Sequence, residues 1–297
     1  MPSLQSLRRK IASLKNTQKI TKAMKMVAAA KVKRAQDRIL AARPYAHKLR
    51  EVLGNLSQRV NRQSHPLLER RPARKTELLV VTSDRGLCGA FNANILRNAQ
   101  EFLQEHAGRG EEVAVCVVGR KGLDFFRRRQ WTILEEWPGV FDRLSYEHAL
   151  DIGQCIVEQY QKERFDQLYV VYNEFKSMLQ QQVVVEKLLP IEAIGTTDPA
   201  ENGGEVEKAE AQGAYLYEPD EAELLEALLP KHFEVQMYRI LLESAAAEQA
   251  ARMTAMDGAT RNAGELIRKV TLFYNKTRQA AITKELMDIV GGAEALK

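Results

Sequence analysis

The segment with the most chemical promise is Ser83–Asn92, SDRGLCGAFN, which follows an apolar run and opens a helical pattern. Backbone amides at such a strand-to-helix turn attract anions. The spacing does not fit a nucleotide loop, however. It contains no GxGxxG, and Gly86–Cys88–Gly89 is not followed by the Gly-Lys-Ser/Thr ending that holds phosphate and magnesium. A tight turn that needs glycine is the plainer reading. Cys88 would have its thiol pKa lowered at a helix start, but a nucleophile also needs a base within reach. The five histidines (His47, His65, His106, His148, His232) are scattered, and none forms an HxxxH or HExxH pair. Cys88 therefore reads as a small buried side chain, and no catalytic residue, cofactor or metal is expected.

Charge offers a second kind of chemistry. Residues 1–50 hold 14 Lys or Arg and one acid, Asp37, a net +13 against −8 for the remaining 247 residues. Arg8, Lys15, Lys19 and Lys22 are spaced by seven, four and three, which places them on one helical face. Such a basic arm on an acidic body predicts an acidic partner. A protein surface is favoured over nucleic acid, because no aromatic-interleaved basic sheet or DNA-binding motif accompanies the charge. Near the other end, Lys269–Leu286 mixes an apolar stripe with Asn275, Lys276, Arg278, Gln279 and Thr283. Arg278 and Gln279 are good donors for a partner's carboxylates.

Long helices must position these groups. At heptad positions 4, 7, 11, 14 and onward to 60, 14 of 17 residues are apolar; the exceptions are the consecutive Gln18, Thr21 and Lys25. There the stripe is expected to move to Ile20, Met24 and Val27, as at a coiled-coil discontinuity. A second heptad pattern runs Met256, Ala259, Ala263, Leu266, Val270, Phe273, Thr277, Ala280. Between the two lie strand-like runs at Glu77–Thr82, Val113–Val118, Asp166–Tyr172 and Gln182–Leu188. They alternate with helical patterns at Asn92–His106, Gly122–Arg129 and Tyr146–Glu163. Alternation of this kind implies an α/β fold with a Rossmann-like, doubly wound parallel sheet. The expected organisation is an N-terminal helix over 1–60, the α/β domain over 75–195, a polar loop over 196–215 and a C-terminal helix over 216–297.

Length decides how the helices are arranged. A compact globule of this size has a radius of gyration of about 19 Å, whereas a helix of about 58 residues is about 87 Å long. An antiparallel coiled coil of the two terminal helices, enclosed by another protein, resolves the mismatch. Composition is ordinary for a globular protein, with 45% hydrophobic and 28% charged residues. No run reaches the roughly 18–20 apolar residues of a membrane span, and the charged N-terminus does not read as a signal peptide. The three cysteines form no CxxC pair and suggest a reducing compartment.

Three segments carry a family resemblance: IASLKNTQKITKAMKMVAAA (Ile11–Ala30), LLVVTSDRGLCGAFN and YNKTRQAAITKELMDIVGGAEAL. Their order and distances from the ends resemble the gamma subunits of F-type ATP synthases, over about Ser3–Leu296. The resemblance implies a non-catalytic central-stalk rotor, one copy per complex, inside a ring of alpha and beta subunits and beside an epsilon subunit and a membrane c-ring. It places Lys22, Met24 and Lys25 toward the beta subunits' acidic lever loop. It also places Arg278 and Gln279 on beta-subunit carboxylates and hydroxyls, and Ile289–Lys297, including Val290 and Leu296, in an apolar top bearing. In this setting the polar Gln18, Thr21 and Lys25 would serve helices that face a ring as well as each other. The implied location is peripheral, on the cytoplasmic face of the bacterial inner membrane. Chloroplast members carry a cysteine-bearing regulatory insertion; no cysteine follows Cys155 here. A nucleotide-binding enzyme and a DNA-binding rod are the alternative readings.

Overall fold

The computed structural model describes residues 3–59, 65–178, 180–191 and 220–294. The elements run α1 (Leu4–Arg59), β1 (Lys75–Val81), α2 (Phe91–Gly108), β2 (Glu112–Val118), α3 (Arg120–Arg128), β3 (Ile133–Trp137), α4 (Tyr146–Gln161), β4 (Gln167–Phe175), β5 (Gln181–Leu189) and α5 (Glu221–Glu294). They divide into two compact units, Met1–Ala30 with Arg252–Lys297, and Lys31–Ala251. The polar stretch Thr196–Gly213 lies outside the described residues.

In the larger unit the five strands are ordered β3-β2-β1-β4-β5. The first four are parallel and β5 is antiparallel to β4. Gln182–Leu188 therefore forms a strand but not a parallel one. The link from Phe175 to Gln181 is too short for a crossover, so the chain turns back as a hairpin. Strand β3 has no counterpart in the sequence reading, because ILEEW carries two glutamates and alternates between half-buried and exposed along a sheet edge.

Helices cover both faces of the sheet. On one side α2 and α3 pack Phe91, Ile95, Leu103 and Phe126 against Leu78, Val80, Val115 and Val117. On the other, α4 and parts of the long helices pack Ile152, Tyr160, Leu53, Phe233 and Met237 against Leu79, Val81, Cys116 and Val118. Each such fully buried side chain contributes about 1.5–3 kcal/mol. This explains why α5, which begins at Glu221, tolerates Pro230 inside it. Leu229 and Phe233 on either side of the proline are fully buried, which offsets the roughly 3 kcal/mol that an interior proline costs.

Glu77 is the most deeply buried of the acidic groups among the described residues. Glu77 is 1% exposed and accepts a hydrogen bond from the Cys116 thiol. Burial raises its carboxyl pKa to about 7. A carboxyl shifted upward in the folded state favours folding most when protonated. Its contribution is thus complete below the ordinary value near 4.5 and is lost as pH rises through about 7. At about 1.4 kcal/mol per pH unit, the loss is on the order of 3 kcal/mol. Buried His232, lowered to about 4 mainly by desolvation, acts with the opposite sign. Glu77→Gln is therefore expected to raise the melting temperature at pH 8 more than at pH 5. Equal shifts at both pH values would show that Glu77 is charged throughout.

Candidate functional site

The strand order reverses between β1 and β4, and the crevice beyond their C-terminal ends is where doubly wound sheets hold ligands. Ser83–Asn92 occupies that position and is bound to itself. The Ser83 amide and hydroxyl both donate to Asn92 Oδ1 at 3.0 Å. Asn92 Nδ2 donates to Cys88 Sγ at 3.3 Å, and Cys88 is 2% exposed. Asp84 takes the part that a phosphate would otherwise play. Its Oδ1 accepts from the amides of Arg120 (3.1 Å) and Gly139 (2.7 Å), and its Oδ2 from that of Phe141 (3.1 Å). These amides, one of them at the start of α3, are thus spent on the chain's own carboxylate. Within the turn Gly89 has a positive φ of 60°, as does the non-glycine Leu87 at 64°, and Gly86 has open space; the tightly packed glycine is Gly119 in the β2–α3 turn, with φ of 91°.

The smaller unit pairs the start of α1 with the end of α5. Here the strict heptad continues unbroken: Gln18 and Lys25 are half-buried, and Thr21 and Ala28 are buried. The stripe does not move, and Ile20 (60%) and Val27 (57%) stay exposed. The polar positions stay in the seam because they meet polar partners on α5. Thr21 Oγ1 lies 2.7 Å from Thr260 Oγ1, Gln18 Nε2 donates to the Thr260 carbonyl at 3.4 Å, and Lys25 Nζ lies 2.5 Å from Asp257 Oδ1. That ammonium holds the Asp257 carboxyl below its ordinary pKa.

The expected contact residues fall out as follows. Lys22 is exposed, Met24 is half-buried, and Lys25 is engaged with Asp257. Lys22 and Lys25 line one cleft of about 550 Å³ together with Gln18, Lys19, Met26, Asp257 and Thr260. Arg278 and Gln279 are exposed on α5. Ile289 (68%) and Val290 (57%) are exposed near its end, and Leu296 lies outside the described residues. Further exposed apolar residues on this unit include Met26 (68%), Leu272 (72%), Ile282 (49%), Leu286 (57%) and Met287 (67%). Sequence reasoning misses Lys19 as a cleft residue, and Met26 and Asp257 altogether. A signal exists for Asp257, the one acid between Gln249 and Gly264.

A family model described as ATP synthase matches residues 3–296. The chain is 48% identical over 297 residues to the ATP synthase gamma chain of Geotalea daltonii, and 50% identical over the same length to that of Geobacter metallireducens, with both chains fully covered in each case. The gamma chain of Chlorobium phaeobacteroides is 48% identical over 305 residues, again across both full lengths. Among solved structures, the fold is similar to a chain of the Euglena gracilis mitochondrial ATP synthase rotor, with a TM-score of 0.64 and 21% identity over 94% of this chain and 98% of that one. It is also similar to a chain of the Tetrahymena thermophila mitochondrial ATP synthase central stalk and c-ring, with a TM-score of 0.61 and 24% identity over 81% and 99%. A full-length match at about half identity, on a doubly wound sheet joined to two long terminal helices, establishes that the chain belongs to the ATP synthase gamma chain family.

Proposed function

We propose that this chain is the rotor shaft of an F-type ATP synthase, coupling c-ring rotation to ATP synthesis or hydrolysis at the beta subunits. The observation that carries this reading is the paired-helix unit. It exposes Ile20, Met26, Val27, Leu272, Ile282, Leu286, Met287, Ile289 and Val290 at 49–72%, and large apolar side chains exposed together on one unit mark an interaction surface. A ring of alpha and beta subunits is the occupant that fits it. In this reading the α/β unit meets epsilon and the c-ring, and the assembly lies against the cytoplasmic face of the inner membrane. No helix among the described residues is long and apolar enough to cross a membrane, which agrees with a peripheral position.

The mechanism follows from asymmetry. One pair of helices cannot present the same side chains to three beta subunits at once. Each angular position therefore stabilises a different conformation in each beta subunit, and rotation and nucleotide affinity are linked through those differential contacts. Lys22, with Lys19 beside it, would face acidic groups on a beta subunit. Arg278 and Gln279 would hold its carboxylates and hydroxyls with charge-assisted hydrogen bonds.

Arg278→Ala combined with Gln279→Ala is expected to lower ATPase turnover of the assembled complex by about tenfold, since one charge-assisted hydrogen bond is worth about 1.5–3 kcal/mol. Unchanged turnover in a fully assembled complex would remove this pair from the mechanism.

A further inference from the structure

We infer that Gln18, Thr21 and Lys25 on α1, with Asp257, Thr260 and Gly264 on α5, form a register lock that fixes the axial alignment of the two helices. Its role in torque transmission rests on the rotor reading; the pairing itself does not.

The apolar seam alone cannot set the alignment. On α5 the buried and half-buried positions at this spacing are Met256, Ala263, Ile267, Val270 and Tyr274, whereas Leu266 and Phe273 of the expected heptad are exposed at 47% and 46%. A slide by one heptad toward the C-terminus brings Ala263, Val270, Tyr274, Thr277 and Ala281 to those positions, an apolar or aromatic residue at each except that of Val270, where Thr277 would stand. The polar positions do not tolerate it. A shift of seven residues in either direction sets Thr21 against Met253 or Ile267 in place of Thr260, and Lys25 against Ala250 or Gly264 in place of Asp257. The buried Thr21 hydroxyl would keep only the Gln18 carbonyl of its own helix (3.1 Å) and would exchange its one polar contact across the seam for an apolar side chain. A polar residue at a seam position specifies register in this way in coiled coils.

Three contacts act at one level of the seam. Thr21 and Thr260 meet at 2.7 Å, and Lys25 reaches Asp257 at 2.5 Å. Gln18 Nε2 donates to the Thr260 carbonyl at 3.4 Å. Gly264 makes room for that amide, since a Cβ there would stand 3.0 Å from Gln18 Nε2. The ion pair is partly open to solvent, with side-chain exposures of 44% and 37%, and an isolated pair so exposed has little effect on stability. Its weight lies in specificity, because a one-heptad slide puts Ala250 or Gly264 in the place of Asp257 and leaves Lys25 only Glu248 or Glu265, each one or two positions off that place. Lys25 and Asp257 are positioning residues: they keep the exposed contact surfaces of the two helices in phase.

The test uses the assembled complex in inverted membrane vesicles and thermal unfolding of the purified chain. Asp257→Ala is expected to leave ATP hydrolysis within about twofold while lowering protons pumped per ATP at least threefold. Thr260→Val is expected to lower it in the same direction by less. The charge-swapped Lys25→Asp with Asp257→Lys should recover most of the pumping that Asp257→Ala loses. In the purified chain, the melting shifts of Lys25→Ala and Asp257→Ala should be non-additive. Additive melting shifts, or a swapped pair no better than the single variants, would overturn the lock and return Lys25 to an outside partner. Non-additive melting with pumping unchanged in every variant would overturn its role in torque while leaving the rotor reading to be judged by its own test.

Discussion

Gly119→Ala is expected to prevent the α/β unit from folding stably, at a cost above about 4 kcal/mol. Gly119 lies between β2 and α3 with φ of 91° and ψ of 146°, a region that is essentially reserved for glycine. A Cβ placed there would lie 2.1 Å from the Thr82 carbonyl oxygen and 2.8 Å from its carbon. The backbone has nowhere to go. The Gly119 amide donates to the Trp137 carbonyl at 3.0 Å, and the Thr82 amide donates to the Val118 carbonyl at 2.9 Å, so both residues are tied to neighbouring strands. Gly86→Ala is the matched control, because a Cβ at Gly86 meets nothing within 4 Å. It should change stability by less than about 0.5 kcal/mol. Soluble yield and melting temperature check both. A Gly119→Ala chain that melts within a few degrees of its parent would mean that the approach of β1 to the β2–α3 turn is looser than this geometry.

Asp84→Ala is expected to destabilise the same unit by on the order of 3 kcal/mol, since three amides lose their acceptor together and each unpaired donor costs about 1–3 kcal/mol before water reaches it. At about 2–4 °C per kcal/mol for a unit of this size, the melting temperature should fall by about 6–12 °C. Asp84→Asn should fall in between. It keeps one carboxamide oxygen for two of the amides, but its amino group must face the third. A melting temperature unchanged in Asp84→Ala would show that water replaces the carboxylate at no cost, and would reopen the loop as a place for an anion.

How much of the fold is legible in the sequence depends on whether a pattern is complete within one element. The heptad along α1 can be counted from α1 alone, and it holds through every described position. Its polar interval is misread because the reason for it is on another helix: Gln18, Thr21 and Lys25 look like a break until Thr260 and Asp257 are opposite them. The alternating strands and helices disclose a doubly wound sheet. The direction of β5 depends on a hairpin that apolar periodicity does not encode, and β3 hides behind its glutamates at the sheet edge. That α5 runs unbroken through Pro230 is not legible either, because the burial of Leu229 and Phe233 is a tertiary fact. Arg278 and Gln279 are legible as donors on an exposed helix. Asp84 is not, since its three donors come from segments 36 to 57 residues away in the chain.

The rotor reading is tested most directly by the native mass of the tagged chain, purified from gently solubilised source membranes with its partners identified. One copy of the chain with three alpha and three beta subunits is the result the account predicts. A free monomer, or a chain carrying nucleic acid or a metabolite in place of that ring, would contradict it.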